Sequence, residues 1–191
     1  MRNIVAAATV LVGLCGLTLP AGAEPFVTGS IDLGEGFGDD AIGRAGSSIH
    51  VLAPVDGRWL LGGELAGSLE PYWAGFSCDP METSMTDAEA DNQDVCLRSS
   101  IGLHGLAGVQ AAPSRNTVIR FEAGLGATTV LGGNERSYLP SGLLRVALLG
   151  ALVPTQTSVW RIGIALDDRV LGIRDPYQVR SLGILFEATS R

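Results

Sequence analysis

From residue 25 onward, apolar residues alternate with polar or small ones at a period of two in eight stretches, about 25–34, 43–54, 58–70, 95–111, 117–131, 141–153, 157–167 and 178–189. Consecutive residues of a β-strand point to opposite faces, so this period predicts eight strands with one apolar face each. The clearest cases are the fifth and seventh. In the fifth, Ile119, Phe121, Ala123 and Leu125 oppose Arg120, Glu122, Gly124 and Gly126; in the seventh, Trp160, Ile162, Ile164 and Leu166 oppose Arg161, Gly163, Ala165 and Asp167. The third sets Trp59, Leu61 and Leu65 against Gly62, Glu64 and Ser68, the fourth Leu97, Ile101 and Leu103 against Arg98, Ser100 and His104, and the eighth Leu182, Ile184 and Phe186 against Ser181, Gly183 and Glu187. The sixth carries Arg145 on its second face, but that face is otherwise Leu143, Ala147, Leu149 and Ala151, which is less polar than a wet interior requires. The first two alternate more weakly, with Val27, Ile31 and Leu33 against Ser30 and Asp32, then Ile49 and Val51 against His50.

The connections add an order to these strands. The second, fourth and sixth are tight and built from turn formers, Pro54-Val55-Asp56-Gly57, Ala112-Pro113-Ser114-Arg115-Asn116 and Pro154-Thr155-Gln156. The first, third, fifth and seventh, over 35–42, 71–94, 132–140 and 168–177, are longer. Short turns at one end and long loops at the other, with an even strand count, predict an all-β, eight-stranded antiparallel up-and-down transmembrane β-barrel. Each stretch is long enough to cross a bilayer as a tilted strand of about 9–11 residues.

The start of the chain reads differently. Arg2, an apolar run over 4–19 and the small-x-small triplet Ala21-Gly22-Ala23 predict a secretory signal over 1–23, and a single barrel domain over 24–191. Cys15 lies inside this signal, and the Leu14 before it argues against lipoprotein processing. Cys78 and Cys96 then remain as an even pair in an oxidising compartment, where a disulfide is expected. The whole chain has net charge -7, and loss of Arg2 with the signal gives -7 - 1 = -8, so there is no basic footprint for nucleic acid. Hydrophobic residues make up 46% and charged ones 17%, with 26 glycines and no apolar run as long as a membrane helix needs, so hydrophobicity is spread over short segments, as a transmembrane barrel requires.

On the predicted register the inward face collects Asp32, His50, Glu64, Arg98, His104, Arg120, Glu122, Arg145, Arg161 and Glu187. Eight strands leave an interior only wide enough for side chains to fill. The charges are therefore expected to pair as a lumen network of Asp32, Glu64, Arg98, Arg120, Glu122, Arg145, Arg161 and Glu187, a plug and not an open pore.

With signal, eight alternating segments, tight turns at one end and a mixed-charge interior, the chain resembles the OmpA/OmpX-type family of small outer-membrane barrels. The resemblance covers nearly all of 24–191 and is one of architecture, without a diagnostic motif. It implies an outer-membrane location, contact with outer-membrane lipid and lipopolysaccharide, and a role in envelope structure or surface interaction through extracellular loops; a few such barrels modify lipids. One departure is the ending Phe186-Glu187-Ala188-Thr189-Ser190-Arg191, where such barrels commonly end on an aromatic residue. A soluble periplasmic barrel enclosing a small ligand is the other architecture compatible with this pattern.

Candidate chemistry is sparse, and no cofactor is expected. Ser48 and His50 share a strand face, with Glu64 on the neighbouring strand, which makes them candidates for a hydrolytic triad; small inward residues around a hydrogen-bonded histidine explain them equally well. The third connection holds Asp79, Glu82, Asp87, Glu89, Asp91 and Asp94 with no basic residue between the cysteines. Asp87, Glu89 and Asp91 are candidate calcium ligands by alternation, but the central glycine and the terminal bidentate glutamate of such a loop are missing, and a solvated, disulfide-held loop is the plainer account. Trp59, Trp73, Trp160, Tyr72, Tyr138 and Tyr177 fall near segment ends, where amphipathic rings suit membrane interfaces.

Overall fold

In the computed structural model, which describes residues 25–36, 42–74, 94–132, 135–154, 158–173 and 177–190, eight antiparallel strands close into a barrel in sequence order. They are β1 (Phe26–Gly34), β2 (Arg44–Asp56), β3 (Trp59–Ala74), β4 (Asp94–Ser114), β5 (Thr117–Gly132), β6 (Glu135–Pro154), β7 (Ser158–Leu171) and β8 (Tyr177–Ser190). Closure comes from β1 pairing with β8, Phe26 opposite Thr189 through Gly34 opposite Ser181, so neither terminal strand leaves an open edge. The expected signal over 1–23 lies outside the described residues.

The predicted parity holds around the wall. Outward positions include Ile31, Leu65, Leu69, Leu97, Ile101, Phe121, Leu125, Leu144, Leu148, Ile164, Leu166, Leu182 and Ile184, all exposed, while Thr28, Asp32, Ser48, Glu64, Ser100 and Glu122 are buried. Among the described side chains, the charged ones on the outward face of the strands are Asp168 and Arg180 towards the long loops and Asp56 at the β2–β3 turn, opposite Trp59. Of the two strands weakest in the sequence, the first keeps the same rule; in the second Ile49 is exposed and His50 buried, but Val51, expected on the outward face with Ile49, is buried along with Leu52 and Ala53.

Three expectations about the ends are corrected. The fifth connection is not a long loop: β5 ends at Gly132 and β6 begins at Glu135. Gly132, Gly133, Asn134 and Pro140 suggest a break, yet the ladder runs on from Ala127 opposite Pro140 to Gly132 opposite Glu135. On its other side β6 runs past its last pair with β7, Ser141 opposite Leu171, so the missing N–H of Pro140 interrupts no ladder there. Likewise β7 does not stop at Asp167 but continues to Leu171, and β3 continues past Glu70 to Ala74. The β2–β3 and β4–β5 turns are tight and shorter than expected, because β2 runs to Asp56 and β4 to Ser114; residues 155–157 of the third lie outside the described residues, and Gly57 (φ 47°) supplies the left-handed residue of the β2–β3 turn.

The lumen is layered. Towards the short-turn end, Phe26, Leu52, Leu60, Leu106 and Leu143 form one buried apolar cluster, and Val118, Ala147, Leu149, Ala165 and Leu185 a second. Leu171 and Val179, with Leu139 packed against them, form a third towards the long-loop end. These clusters explain the apolar inward face of the sixth strand: Leu143, Ala147 and Leu149 fill the barrel instead of facing water. Inward glycines make room for these groups. A Cβ on Gly124 would lie 2.7 Å from Leu106 Cδ2, so the leucine occupies space the glycine vacates.

Candidate functional site: the charged core of the lumen

Six carboxylates (Asp32, Glu64, Glu70, Glu122, Asp167, Glu187) and six guanidiniums (Arg44, Arg98, Arg120, Arg145, Arg161, Arg169) face inward among the described residues. The numbers balance, so with both histidines neutral the set needs no bound counterion.

Glu64 on β3 is the hub. It receives Arg145 Nη1 at 2.7 Å on Oε2 and Arg169 Nη2 at 2.8 Å on Oε1, and it is fully buried. Arg145 on β6 in turn grips Asp167 on β7 with two parallel bonds, Nε to Oδ1 at 2.7 Å and Nη2 to Oδ2 at 2.6 Å, and donates to Glu122 Oε2 at 3.2 Å. Register explains the arrangement, since Glu122, Arg145 and Asp167 stand directly opposite one another across β5, β6 and β7. A bidentate guanidinium–carboxylate pair is also the geometry that fixes both partners most firmly.

Smaller pairings sit above and below. Arg44 Nη1 lies 3.2 Å from Asp32 Oδ2, and Arg98 pairs with Glu70 while its guanidinium lies 4.8 Å over the Tyr72 ring. Tyr72 therefore has the inward parity of β3 and packs with Arg98, whereas Trp59, Trp73, Tyr138 and Trp160 are exposed on the outward face near strand ends. Near the short turns, Glu187 is held by Arg120 and Arg161, and Arg120 reaches Glu122 Oε1 at 3.5 Å.

All eight charges expected in the lumen are inward, and the network joins Glu64, Arg120, Glu122, Arg145, Arg161 and Glu187. Asp32 and Arg98 instead pair with Arg44 and Glu70. Sequence reasoning left Arg44, Glu70, Asp167 and Arg169 out of the set. Asp167 and Glu70 were recoverable from parity alone, whereas Arg169 lay beyond the predicted strand end.

The three triad candidates do meet. Ser48 Oγ lies 2.5 Å from His50 Nε2, and Glu64 Oε2 lies 3.2 Å from the same nitrogen. A working triad needs the serine and the acid on opposite ring nitrogens. Here both share Nε2, and Arg145 Nη1 stands 2.9 Å from each ring nitrogen. A neutral imidazole has one acceptor nitrogen and a guanidinium can only donate, so the lone pair a general base needs is taken by Arg145. Ser48 also bonds Ser30 Oγ at 2.6 Å, completing a buried chain of hydroxyls.

His104 comes nearer to that geometry, through a residue the sequence did not single out. Its Nε2 lies 2.8 Å from Ser141 Oγ, and its Nδ1 faces Glu64 Oε1 at 3.6 Å. Ser141 is 37 positions away in the chain, so no local motif could show the contact. Thr128 Oγ1 donates to Ser141 at 3.1 Å, and the serine is buried between these partners. Both histidines thus act as hydrogen-bonding struts beside Glu64.

The candidate calcium ligands Asp87, Glu89 and Asp91 lie outside the described residues, as does Cys78. Cys96 is buried on β4. Among the described residues no group of three or more histidine, cysteine or acidic side chains is placed to hold a metal ion.

No family model matches the chain, and no curated protein matches it. Among solved structures it is similar to Neisserial surface protein A, with 13% identity over 88% of this chain and 98% of that chain and a TM-score of 0.47. It is also similar to Ail, the attachment invasion locus protein of Yersinia pestis, in complex with the heparin analogue sucrose octasulfate (11% identity, 88% of this chain, 96% of that chain, TM-score 0.40). A third is the N-terminal beta-barrel domain of Pseudomonas aeruginosa OprF, at 12% identity over 86% of this chain and 98% of that chain, with a TM-score of 0.36.

Proposed function

We propose that this chain is a non-enzymatic outer-membrane barrel, whose wall is a rigid frame and whose long-loop end, chiefly the connection over 75–93, makes contact with lipopolysaccharide and with a surface partner. One observation carries the reading: the outward wall is apolar from Trp59 and Trp160 near the short turns to Trp73 and Tyr138 near the long loops, and its described charges are only Asp168 and Arg180 towards the long loops and Asp56 at the short-turn rim. On a soluble barrel that wall would be a contiguous exposed apolar surface far larger than monomers tolerate. In a bilayer it is solvated by lipid, and the aromatic side chains stand where interfacial girdles belong. The plugged, neutral lumen favours a frame over a pore.

The disulfide between Cys78 and Cys96 belongs to the same proposal. It would tie the acidic connection to the top of β4, leaving its carboxylates to water or to divalent ions at the lipopolysaccharide surface. A second reading, a lipid-modifying hydrolase, rests on Ser141 and His104; an unchanged lipid profile in cells carrying Ser141→Ala would remove it.

Envelope fractionation tests the first reading, with the membrane pool run on gels before and after boiling. Recovery in the outer-membrane fraction with a heat-dependent mobility shift is the expected result. Recovery of folded protein from the periplasm without detergent would replace it with a soluble ligand-binding barrel.

A further inference from the structure

The short-turn end of the barrel holds a cavity of about 720 Å³, which none of the charged-core contacts fills. That size falls within the range of about 300–1,000 Å³ typical of small-molecule sites. Phe26, Val118 and Ile119 give it an apolar side, and Arg58, Gln110, Arg161, Glu187 and Thr189 a polar one. It is blind: the buried cluster of Phe26, Leu52, Leu60, Leu106 and Leu143 closes the lumen behind it, and the Glu64 network lies beyond. A solute that enters binds and leaves by the same opening.

Charge at this end is uneven. Within the core, Glu64, Glu122 and Asp167 outnumber Arg145 and Arg169, and the balance is restored only near the short turns, where Arg120 and Arg161 share the single carboxylate of Glu187. The surrounding turns add Arg58 and Arg115 against Asp56. Of these, Arg58 and Arg161 line the cavity against the one carboxylate of Glu187. Arg161 makes both of its side-chain bonds, to Glu187 and Thr189, through Nη1, and its side chain is 21% exposed. Its Nε and Nη2 make no bond among the described residues, leaving a fork of donors suited to an oxyanion.

We propose that this cup binds a small amphiphilic anion, a carboxylate or a phosphate monoester on an apolar body, with the anionic head at Arg161 and Arg58 and the body against Val118, Ile119 and Phe26. The inference is independent of what the long loops contact, and it holds whether the barrel sits in a membrane or in solution.

Titration of the full, ¹⁵N-labelled protein with octanoate, octyl phosphate and octanol, followed by amide shifts at Val118, Ile119, Arg161 and Thr189, tests it. Saturable shifts with one or both anions, and none with octanol, are expected; which anion binds more tightly decides between carboxylate and phosphate. Arg161→Gln should weaken binding by about tenfold, the loss expected for one charge-assisted hydrogen bond. Because that substitution also removes a partner of buried Glu187, Arg58→Glu, on an exposed turn, is the second variant and should weaken binding without changing the rest of the spectrum. Equal shifts with octanol, no saturable shift with either anion, or binding untouched by Arg58→Glu and by folded Arg161→Gln would overturn the proposal.

Discussion

Leu144 and Arg145 are covalent neighbours on β6, yet the leucine is 63% exposed and the arginine 1%. In a water-soluble core the order would be reversed. The outward wall is built to meet an apolar medium, and the lumen supplies each buried charge with a partner of opposite sign. Inside the barrel charge is tolerated where carboxylate meets guanidinium; on the outward wall it is confined to the ends of the strands, at Asp168, Arg180 and Asp56. The comparison also separates two kinds of burial, since the lumen holds both a dense ionic layer and three apolar clusters.

The largest effect expected on breaking this contrast is at Arg145. Replacing Arg145 with Met leaves Glu64, Glu122 and Asp167 with only Arg169 and Arg120 to hold them, and should destabilise the barrel by about 3–5 kcal/mol. Reversible urea unfolding in lipid vesicles, followed by tryptophan fluorescence, would measure it. A double-mutant cycle with Asp167→Asn sharpens the result: a coupling of about 0.5–3 kcal/mol marks the two residues as one unit, and additive effects would show the bidentate pair to be incidental.

Moving the charge outward by one residue gives the complementary experiment. Val146→Arg, between Phe121 and Leu166 on the outward wall, should cost about 2–4 kcal/mol near the bilayer midplane and Val170→Arg much less, about 0–1 kcal/mol, because the cost falls towards the interface. Equal costs at the two sites in the same vesicles would deny that the wall spans an apolar layer.

Tightness of the lumen is tested at Gly102, whose added Cβ would fall 2.9 Å from both His104 Cε1 and Thr128 Oγ1. Gly102→Ala should displace the His104–Ser141 contact and cost about 1–3 kcal/mol by overpacking, visible in the unfolding midpoint. The smallest effect belongs to Asp168→Leu, since Asp168 is half-exposed and its partners on the outer surface are Arg180, 3.9 Å away, and Gln178, which donates from Nε2 at 2.7 Å. A change under about 1 kcal/mol is expected there, in the same unfolding assay.

Much of this was legible in the alternation itself. Arg120, Glu122 and Arg145 were assigned inward from parity because their strand interiors are unbroken by turn residues. What escaped the sequence lies at the long-loop ends of the strands. Asp168-Arg169 reads as the start of a polar loop, but Arg169 turns inward to Glu64 while Asp168 turns outward, so polarity there marks the top of the apolar wall and not the end of β7. Arg44 was passed over in the same way, at the edge of a segment too weak to fix its start. Ser141 belongs to a different class. Its contact with His104 is created by β4, β5 and β6 lying side by side, which spacing along one strand cannot encode.

The most direct test of the membrane-facing wall is site-directed spin labelling at Leu144, Ile164 and Ile184, one label at a time, in the protein folded into lipid vesicles. Relaxation enhancement by oxygen far above that by a water-soluble nickel chelate at all three sites is the result expected of lipid-facing positions. The reverse order, with the chelate reaching all three, would contradict the membrane barrel and leave the apolar wall without a solvent.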